Sequence, residues 1–159
     1  AFGGNTGSVT AVTETWNGTN WTEVNDLNTA RSALAGAGDS NTVALGFGGG
    51  PPNIAITESW NGTNWTEVND LNTARRALGG AGNYTSALAV GGNDGSLSGK
   101  TEEWNGTNWT EVSDLSTARA ELGTTGTVPS ALAFAGAAPS DSAATEEWNS
   151  PQSVVKTLD

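Results

Sequence analysis

The chain has no cysteine, no histidine and no methionine, and only 6 lysines and arginines among its 159 residues. Without cysteine there is no disulfide framework and no thiolate metal site, and the redox compartment stays open. Without histidine as well, the usual general base and the usual soft metal ligands are missing. Enzymes therefore come last among the function classes, and no cofactor or metal is expected. The missing methionine leaves no initiator. Ala1 is expected to follow processing or to open a piece of something longer, and no signal peptide is visible. Against the 6 basic residues stand 17 acidic ones, for a net charge of −11 and a pI near 4.1. Nucleic acid and anionic lipid are poor partners for such a surface. No run of 18 apolar residues exists, so no membrane span is expected.

What is present is repetition. Thr13-Glu14-Thr15-Trp16 recurs as Thr57-Glu58-Ser59-Trp60, Thr101-Glu102-Glu103-Trp104 and Thr145-Glu146-Glu147-Trp148, with the tryptophans 44 residues apart. A second tryptophan keeps the register at Trp21, Trp65 and Trp109. A fixed period of roughly 40–50 residues with a tryptophan signature points to an array such as a β-propeller or solenoid. One unit cannot bury its apolar face alone, so neighbours must stack. Apolar residues make up 35% of the chain and glycine contributes 22 residues, a turn-rich composition that suits an all-β fold. With asparagine, threonine and no cysteine, it also suits an extracellular or virion surface.

Each unit reads as four short antiparallel strands. In the second copy, residues 75–81 are the first, 86–92 the second, 100–104 the third and 109–112 the fourth. Asn105-Gly106-Thr107-Asn108 lies between the last two as a hairpin signal. Four strands per repeat is the grammar of a propeller blade. In the second strand, Val43, Leu45 and Phe47 alternate with Ala44 and Gly46, so one face is bulky and the other nearly bare. Stacked blades would interlock large into small. The first strand, as in Ala35-Gly36-Ala37-Gly38, is small enough for a crowded innermost position. The reading divides the chain into an incomplete first blade at 1–30 and full blades at 31–74, 75–118 and 119–159. Ala1-Phe2-Gly3-Gly4 matches a second strand, so the opening blade lacks its first and reads as cut. Residues 153–159 read as a degenerate fourth strand and a C-terminal cap.

A Gly-Gly after the second strand, an aromatic ending the third, a tryptophan opening the fourth and an arginine before the next unit resemble the kelch repeat. Here these are Gly48-Gly49, Trp60, Trp65 and Arg75, then Gly91-Gly92, Trp104, Trp109 and Arg119; the fourth copy keeps only Gly136. Tryptophan stands where that family usually has tyrosine, and Leu71-Asn72-Thr73-Ala74 replaces the apolar-proline pair before the arginine. The resemblance covers essentially the whole chain and implies a kelch-like β-propeller. The near-identical copies of Trp-Asn-Gly-Thr-Asn-Trp-Thr-Glu-Val are also similar to kelch-type arrays in structural proteins of aquatic bacteriophages. That likeness implies a virion surface or tail-fibre role. Some kelch propellers are copper-radical oxidases. These need histidine and a cysteine-modified tyrosine, and this chain offers only Tyr84.

The remaining candidate chemistry is weighed against structural roles. Glu102-Glu103 and Glu146-Glu147 are adjacent on a strand and point to opposite faces, so they cannot flank one glycosidic bond. Glu14, Glu58, Glu102 and Glu146, with Arg31, Arg75 and Arg119, are expected as buried or half-buried ion pairs. Asp26, Asp70 and Asp114 supply one carboxylate per turn, too thin for calcium, and read as turn caps. An Asp-box of the sialidase-like type is rejected, because Trp16, Trp60 or Trp104 stands where the aspartate belongs. Asn17, Asn20, Asn61, Asn64, Asn83, Asn105 and Asn108 fit the N-x-[ST] pattern and read as turn residues rather than glycan acceptors. The tryptophans read as core between blades and not as sugar platforms, with Trp16, Trp60 and Trp104 expected to be buried.

Strand alternation puts the second-to-third loops and the fourth-to-first connections on one face. The scaffold is nearly constant between copies, whereas the second-to-third loops at 5–12, 50–56, 93–100 and 137–144 all differ. Variation on a constant scaffold is how binding faces are built. The candidate ligand residues are Asn5, Asn53, Asn93, Asp94, Ser96, Lys100, Ser140 and Asp141, with Arg31, Arg75 and Arg119 beside them. The expected function is a non-enzymatic binding or structural module. A secreted lectin-like module binding glycan is one alternative. A self-assembling extracellular polymer is the other, its protein partner or second copy entering through the incomplete first blade.

Overall fold

The computed structural model describes residues 1–150 and is all-β, with thirteen strands in four antiparallel sheets and no helix among them. The first sheet holds β1 (Thr13–Trp16) and β2 (Trp21–Val24). The second holds β3 (Ala35–Ser40), β4 (Val43–Phe47), β5 (Thr57–Trp60) and β6 (Trp65–Val68). The third holds β7 (Gly79–Gly82), β8 (Ala87–Val90), β9 (Thr101–Trp104) and β10 (Trp109–Glu111). The fourth holds β11 (Gly123–Thr127), β12 (Ser130–Phe134) and β13 (Thr145–Asn149). Strands follow chain order within every sheet. Two sheets are therefore the expected four-stranded units. The first is two-stranded, extended only by a bridge from Phe2 to Thr13. The last shows three strands, and its expected fourth, at 153–159, lies outside the described residues.

Local chemistry sets the hairpins. Trp60 pairs with Trp65 across a four-residue loop. Asn61 Oδ1 accepts the backbone N–H groups of Thr63 (2.9 Å) and Asn64 (2.8 Å), while Gly62 adopts φ +90°. The same closure recurs at Asn17 and Asn105. An asparagine that mimics a backbone turn, followed by a residue free to take positive φ, explains why the motif is repeated. Asn83 Oδ1 likewise closes the β7–β8 turn. The aspartates act at longer range than a turn cap. Asp26, Asp70 and Asp114 each accept the N–H that opens the third-position strand of their own repeat, from Thr13, Thr57 and Thr101, at 3.0–3.1 Å.

The first strands begin later than the sequence suggests, at Ala35 and Gly79 rather than at the arginines. Ala33, Ala77 and Glu121 take φ of 51°, 54° and 55° and break the extended path. The left-handed conformation costs about 1–2 kcal/mol in a residue with a side chain. It is offset by ties between sheets: Ala77 N–H donates to the Ala33 carbonyl at 2.7 Å, and Glu121 N–H to that of Ala77 at 2.8 Å. Beyond these ties the first strands touch backbone to backbone. A Cβ on Gly80 would stand 2.6 Å from the Gly36 carbonyl oxygen, which is why this strand is alanine and glycine.

Large side chains cross to the next sheet. Phe2 packs edge-on against Trp65, with ring centroids 4.8 Å apart, and Phe47 against Trp109 at 4.9 Å. Each phenylalanine overlies bare backbone: a Cβ on Gly36 would meet Phe2, and one on Gly80 would meet Phe47. The expected interlock of large into small is thus present. Trp60 and Trp104 are buried, but Trp16 is not; 45% of it is exposed. The indole N–H of Trp60 reaches the carbonyl of Asn41, and that of Trp104 the carbonyl of Tyr84, both in the first hairpin of their own sheet. Trp16 has no such hairpin beside it, which corrects the expectation of a uniform core.

Truncating Trp60 removes a large buried ring, whereas truncating Trp16 removes a half-exposed one. Trp60→Ala is expected to lower stability by about 3–5 kcal/mol and Trp16→Ala by about 1 kcal/mol or less. Urea unfolding of the two variants measures the difference, and equal losses would contradict this assignment of the core.

Candidate functional site

The second-to-third loops rest on the fourth-to-first connections, as strand alternation requires. Leu27, Leu71 and Leu115 donate backbone N–H groups to the carbonyls of Ala11, Ala55 and Gly99, all at 2.9–3.0 Å. Arg31, Arg75 and Arg119 donate theirs to Thr10, Ile54 and Ser98 at 3.2–3.3 Å. Two connection types therefore share one face.

Three of the four loops keep one backbone despite their different sequences. Thr6, Asp94 and Ala138 donate N–H to the carbonyl two residues on, at 3.0–3.1 Å. Thr10, Ser98 and Ser142 return to Gly4, Gly92 and Gly136 at 2.9–3.0 Å. Bridges Asn5–Val9, Asn93–Leu97 and Ala137–Asp141 complete the same small hairpin. Residues 50–56 follow another course, in which Ile54 returns to Gly49. What varies most is the start of the tip: Thr6-Gly7, Asp94-Gly95 and Ala138-Pro139, each followed by a serine, Ser8, Ser96 or Ser140.

The candidate residues divide by position. Asn5, Ser96, Ser140 and Asp141 are exposed, while Asn53, Asn93, Asp94 and Lys100 are half-buried. Asn5 and Asn93 spend their side-chain oxygens on the N–H groups of Gly7 and Gly95, so they build their loops. Asn53 Nδ2 donates to the Asn93 carbonyl at 2.9 Å and joins the second and third sheets. Lys100 Nζ donates to Thr73 Oγ1 at 3.1 Å, tying its loop to the connection beneath. Asp94 and Ser96 approach each other only at 3.5 Å. They are left as the tip side chains with free capacity in the third sheet.

Arg31, Arg75 and Arg119 do not line this face. They lie fully buried beneath it. Arg31 Nη1 stands 2.9 Å from Glu58 Oε1, Arg75 Nη2 3.3 Å from Glu102 Oε1 and Arg119 Nη1 3.1 Å from Glu146 Oε1. The Arg31 and Arg119 contacts are charge attractions without hydrogen-bond alignment. Each guanidinium also donates through Nη2 to a main-chain carbonyl, of Gly46, Ala89 or Ala133, at 3.0–3.2 Å. Burial lowers the pKa of Arg31 and Arg75, and the facing Glu58 and Glu102 carboxylates oppose the shift. Both stay cationic at neutral pH, because an arginine starts far above it.

The sequence reading missed a partner of these pairs. Asn28 donates to Glu58 Oε2 through its backbone N–H (2.7 Å) and its amide (2.8 Å), and Asn72 does the same to Glu102 at the same distances. Each asparagine lies in the connection leaving the preceding sheet, so the carboxylate links two sheets. Ser116 replaces the asparagine before Glu146 and keeps the backbone bond, 2.7 Å. The signal was available in the 44-residue spacing of Asn28, Asn72 and Ser116. Partial burial would raise the pKa of Glu146, but the Ser116 hydrogen bonds and the charge of Arg119 outweigh it, leaving the carboxyl below its ordinary value of 4.5.

Among the described residues no group of three or more histidines, cysteines, aspartates or glutamates converges on a metal-sized space. No described helix is long and apolar enough to cross a membrane. No protein-family model matches the chain, and no curated protein matches it either.

Removing one member of a buried pair leaves an uncompensated charge. Arg75→Ala is expected to cost about 3–5 kcal/mol, with the double variant R75M/E102L losing less than either single change. Chemical unfolding measures this, and additive losses would contradict it. The lowered Glu146 pKa adds stability at pH above the unfolded-state value that is lost as pH falls through the folded one. The melting temperature should thus decline on acidification below about 4.5, and Glu146→Gln should flatten part of that decline. Parallel melting curves for the two proteins across this range would show that the pair carries no pH dependence.

Proposed function

We propose that the four sheets are successive blades of a kelch-like β-propeller array, and that the array is a non-enzymatic binding module. The single observation that carries this reading is the loop face. Three loops hold one backbone while the first residue of the tip changes in each, Thr6, Asp94 or Ala138, on third and fourth strands that scarcely change. Function on such a fold resides in sites grafted onto it. Asp94 and Ser96 in one loop and Ser140 and Asp141 in another offer donors and acceptors suited to sugars or to a polar protein surface, and little apolar area. Several of the recurring carboxylates serve the scaffold. Glu58 and Glu102 neutralise buried arginines, and Asp26, Asp70 and Asp114 hold strand N–H groups.

The context we favour is a virion surface or tail fibre, on the strength of the resemblance to kelch-type phage arrays. The lectin-like reading shares the same face. The hairpins at 17–20, 61–64 and 105–108 lie at the opposite end of the strands, and the first asparagine of each is spent on closing its own turn.

A printed glycan array and binding to intact bacterial cells test the assignment. The double variant D94A/S96A should change or abolish any selective binding. Its melting temperature should move by no more than about 2 °C, as for loop substitutions that remove no short hydrogen bond. Binding that survives this change and disappears on altering residues 61–64 would place the site on the other face.

A further inference from the structure

The interior of the chain shows how one sheet covers the next. Between the first and second sheets, Phe2 meets Trp65, and the Trp65 indole donates to Thr13 Oγ1 at 3.0 Å. Between the second and third, Phe47 meets Trp109, and the Trp109 indole donates to Thr57 Oγ1, also at 3.0 Å. Each of these two interfaces is thus one set: a phenylalanine and a threonine from the earlier sheet, and a tryptophan from the later one; in the third sheet Val90 stands in the phenylalanine's place.

At the tail, the fourth sheet carries the earlier half of this set, and among the described residues nothing lies upon it. Phe134 pairs with Gly123 as Phe47 pairs with Ala35 and is 40% exposed, but its ring rests over Gly123 of its own sheet and must swing outward to make the interior contact. Leu132 stands where Leu45 and Leu88 are fully buried, and is 41% exposed. Thr145 is exposed where Thr13 and Thr57 are buried. At the head, Trp21 stands where Trp65 and Trp109 are buried, and is 53% exposed. The uncovered Trp16–Trp21 pair already has the geometry of the covered ones. Its centroid distance is 5.4 Å at 45°, against 5.4 Å at 43° for Trp60–Trp65 and 5.4 Å at 45° for Trp104–Trp109. A face held in its bound shape before binding loses little order on association.

Ala135 sets a condition on the next sheet. Gly3, Gly48 and Gly91 take positive φ, and a Cβ on any of them would stand 2.6–2.7 Å from the carbonyl oxygen of Arg31, Arg75 or Arg119 in the following sheet. Ala135 takes that conformation (φ 58°) at the matching place in the fourth sheet and does carry a Cβ. A sheet stacked on the fourth must therefore leave more room at this point than an interior one does.

We propose that the Phe134 face of one copy receives the Trp21 face of a second copy, head to tail, and repeats the interior interface. Phe134 packs edge-on against Trp21 of the partner copy, whose indole donates to Thr145. The contact is heterologous, so it propagates to a closed ring or an open fibre according to the rotation between successive sheets. It does not depend on the loop face and stands or falls apart from it. Copies with a net charge of −11 repel one another, so association should strengthen as salt rises toward about 0.15 M and shortens the reach of that repulsion.

Sedimentation of the whole chain, with Trp21→Asp and Phe134→Asp as variants, tests this. The wild type should associate with rising concentration, and each variant alone should sediment as a monomer. An equimolar mixture of the two variants should give a 1:1 dimer and nothing larger, because it contains one intact head and one intact tail. Both substitutions fall on exposed side chains. Unchanged circular dichroism and melting should confirm that each variant is folded, and the wild-type tryptophan emission should shift to the blue on assembly. A wild type that stays monomeric at every accessible concentration would overturn the proposal. So would a folded variant that assembles alone, or a mixture that fails to dimerise while the wild type assembles.

Discussion

Each sheet of this chain is too narrow to cover the tryptophan that opens its last strand, and the ring is buried only when the preceding sheet lies against it. Phe2 and Thr13 do this for Trp65, and Phe47 and Thr57 for Trp109. The rest of the architecture is arranged so that sheets can come close enough for that contact. Alanine and glycine line the first strands because any larger residue would strike the neighbouring backbone. The glycine after each second strand takes positive φ because the next arginine carbonyl leaves no room for a Cβ. Stability therefore resides between repeats more than within them, as in other arrays of small units.

The buried charges serve the same joint. Glu58 faces Arg31 of its own repeat and is held by Asn28 from the repeat before, and Glu102 is placed the same way between Arg75 and Asn72. A buried ion pair is weak evidence for net stability, because desolvation opposes the attraction. What it enforces here is position. A sheet that slipped against its neighbour would strand a carboxylate or a guanidinium without its partner. The last pair, Arg119–Glu146, has lost the asparagine amide and is more open to solvent.

The loop face follows from this rigidity. Sheets locked by aromatic, glycine and ion-pair contacts carry four loops out on one side, and three of these close on the same hydrogen bonds. Their tips are free to vary because nothing in the joint passes through them. The identical Asn-Gly-Thr-Asn hairpins on the opposite side are constrained in another way. The first asparagine of each closes its own turn. In the second and third sheets, the last asparagine of the turn also accepts from Asn25 or Asn69 of the preceding repeat. Repetition there has a mechanical cause and needs no ligand to explain it.

Much of this was legible in the amino-acid order. The 44-residue recurrence of tryptophan, glutamate and arginine announces stacked β units, the large-small alternation of Val43 to Phe47 announces their interlock, and the Asn-Gly pairs announce the hairpins. These are local or periodic signals, and each arises from the backbone of one residue or the pleat of one strand. Three ion pairs were legible for the same reason, since their members recur in register, but Glu14, expected among them, is exposed and has no arginine beside it among the described residues. Which member of a series is buried was not legible. Trp16 and Trp60 stand in near-identical sequence, yet one is half-exposed and the other buried. The difference lies in whether a hairpin and a neighbouring sheet are there to cover the ring. Placing the arginines beneath the loops rather than among them, and starting the first strand after the left-handed residues Ala33 and Ala77, also required the tertiary structure. The sequence by itself determined the repeating unit, because that unit is written in local turn chemistry and strand alternation. The packing of one unit on the next decided which side chains are core, which are buried charge and which are left at the two ends, because burial belongs to the contact between units and to neither alone.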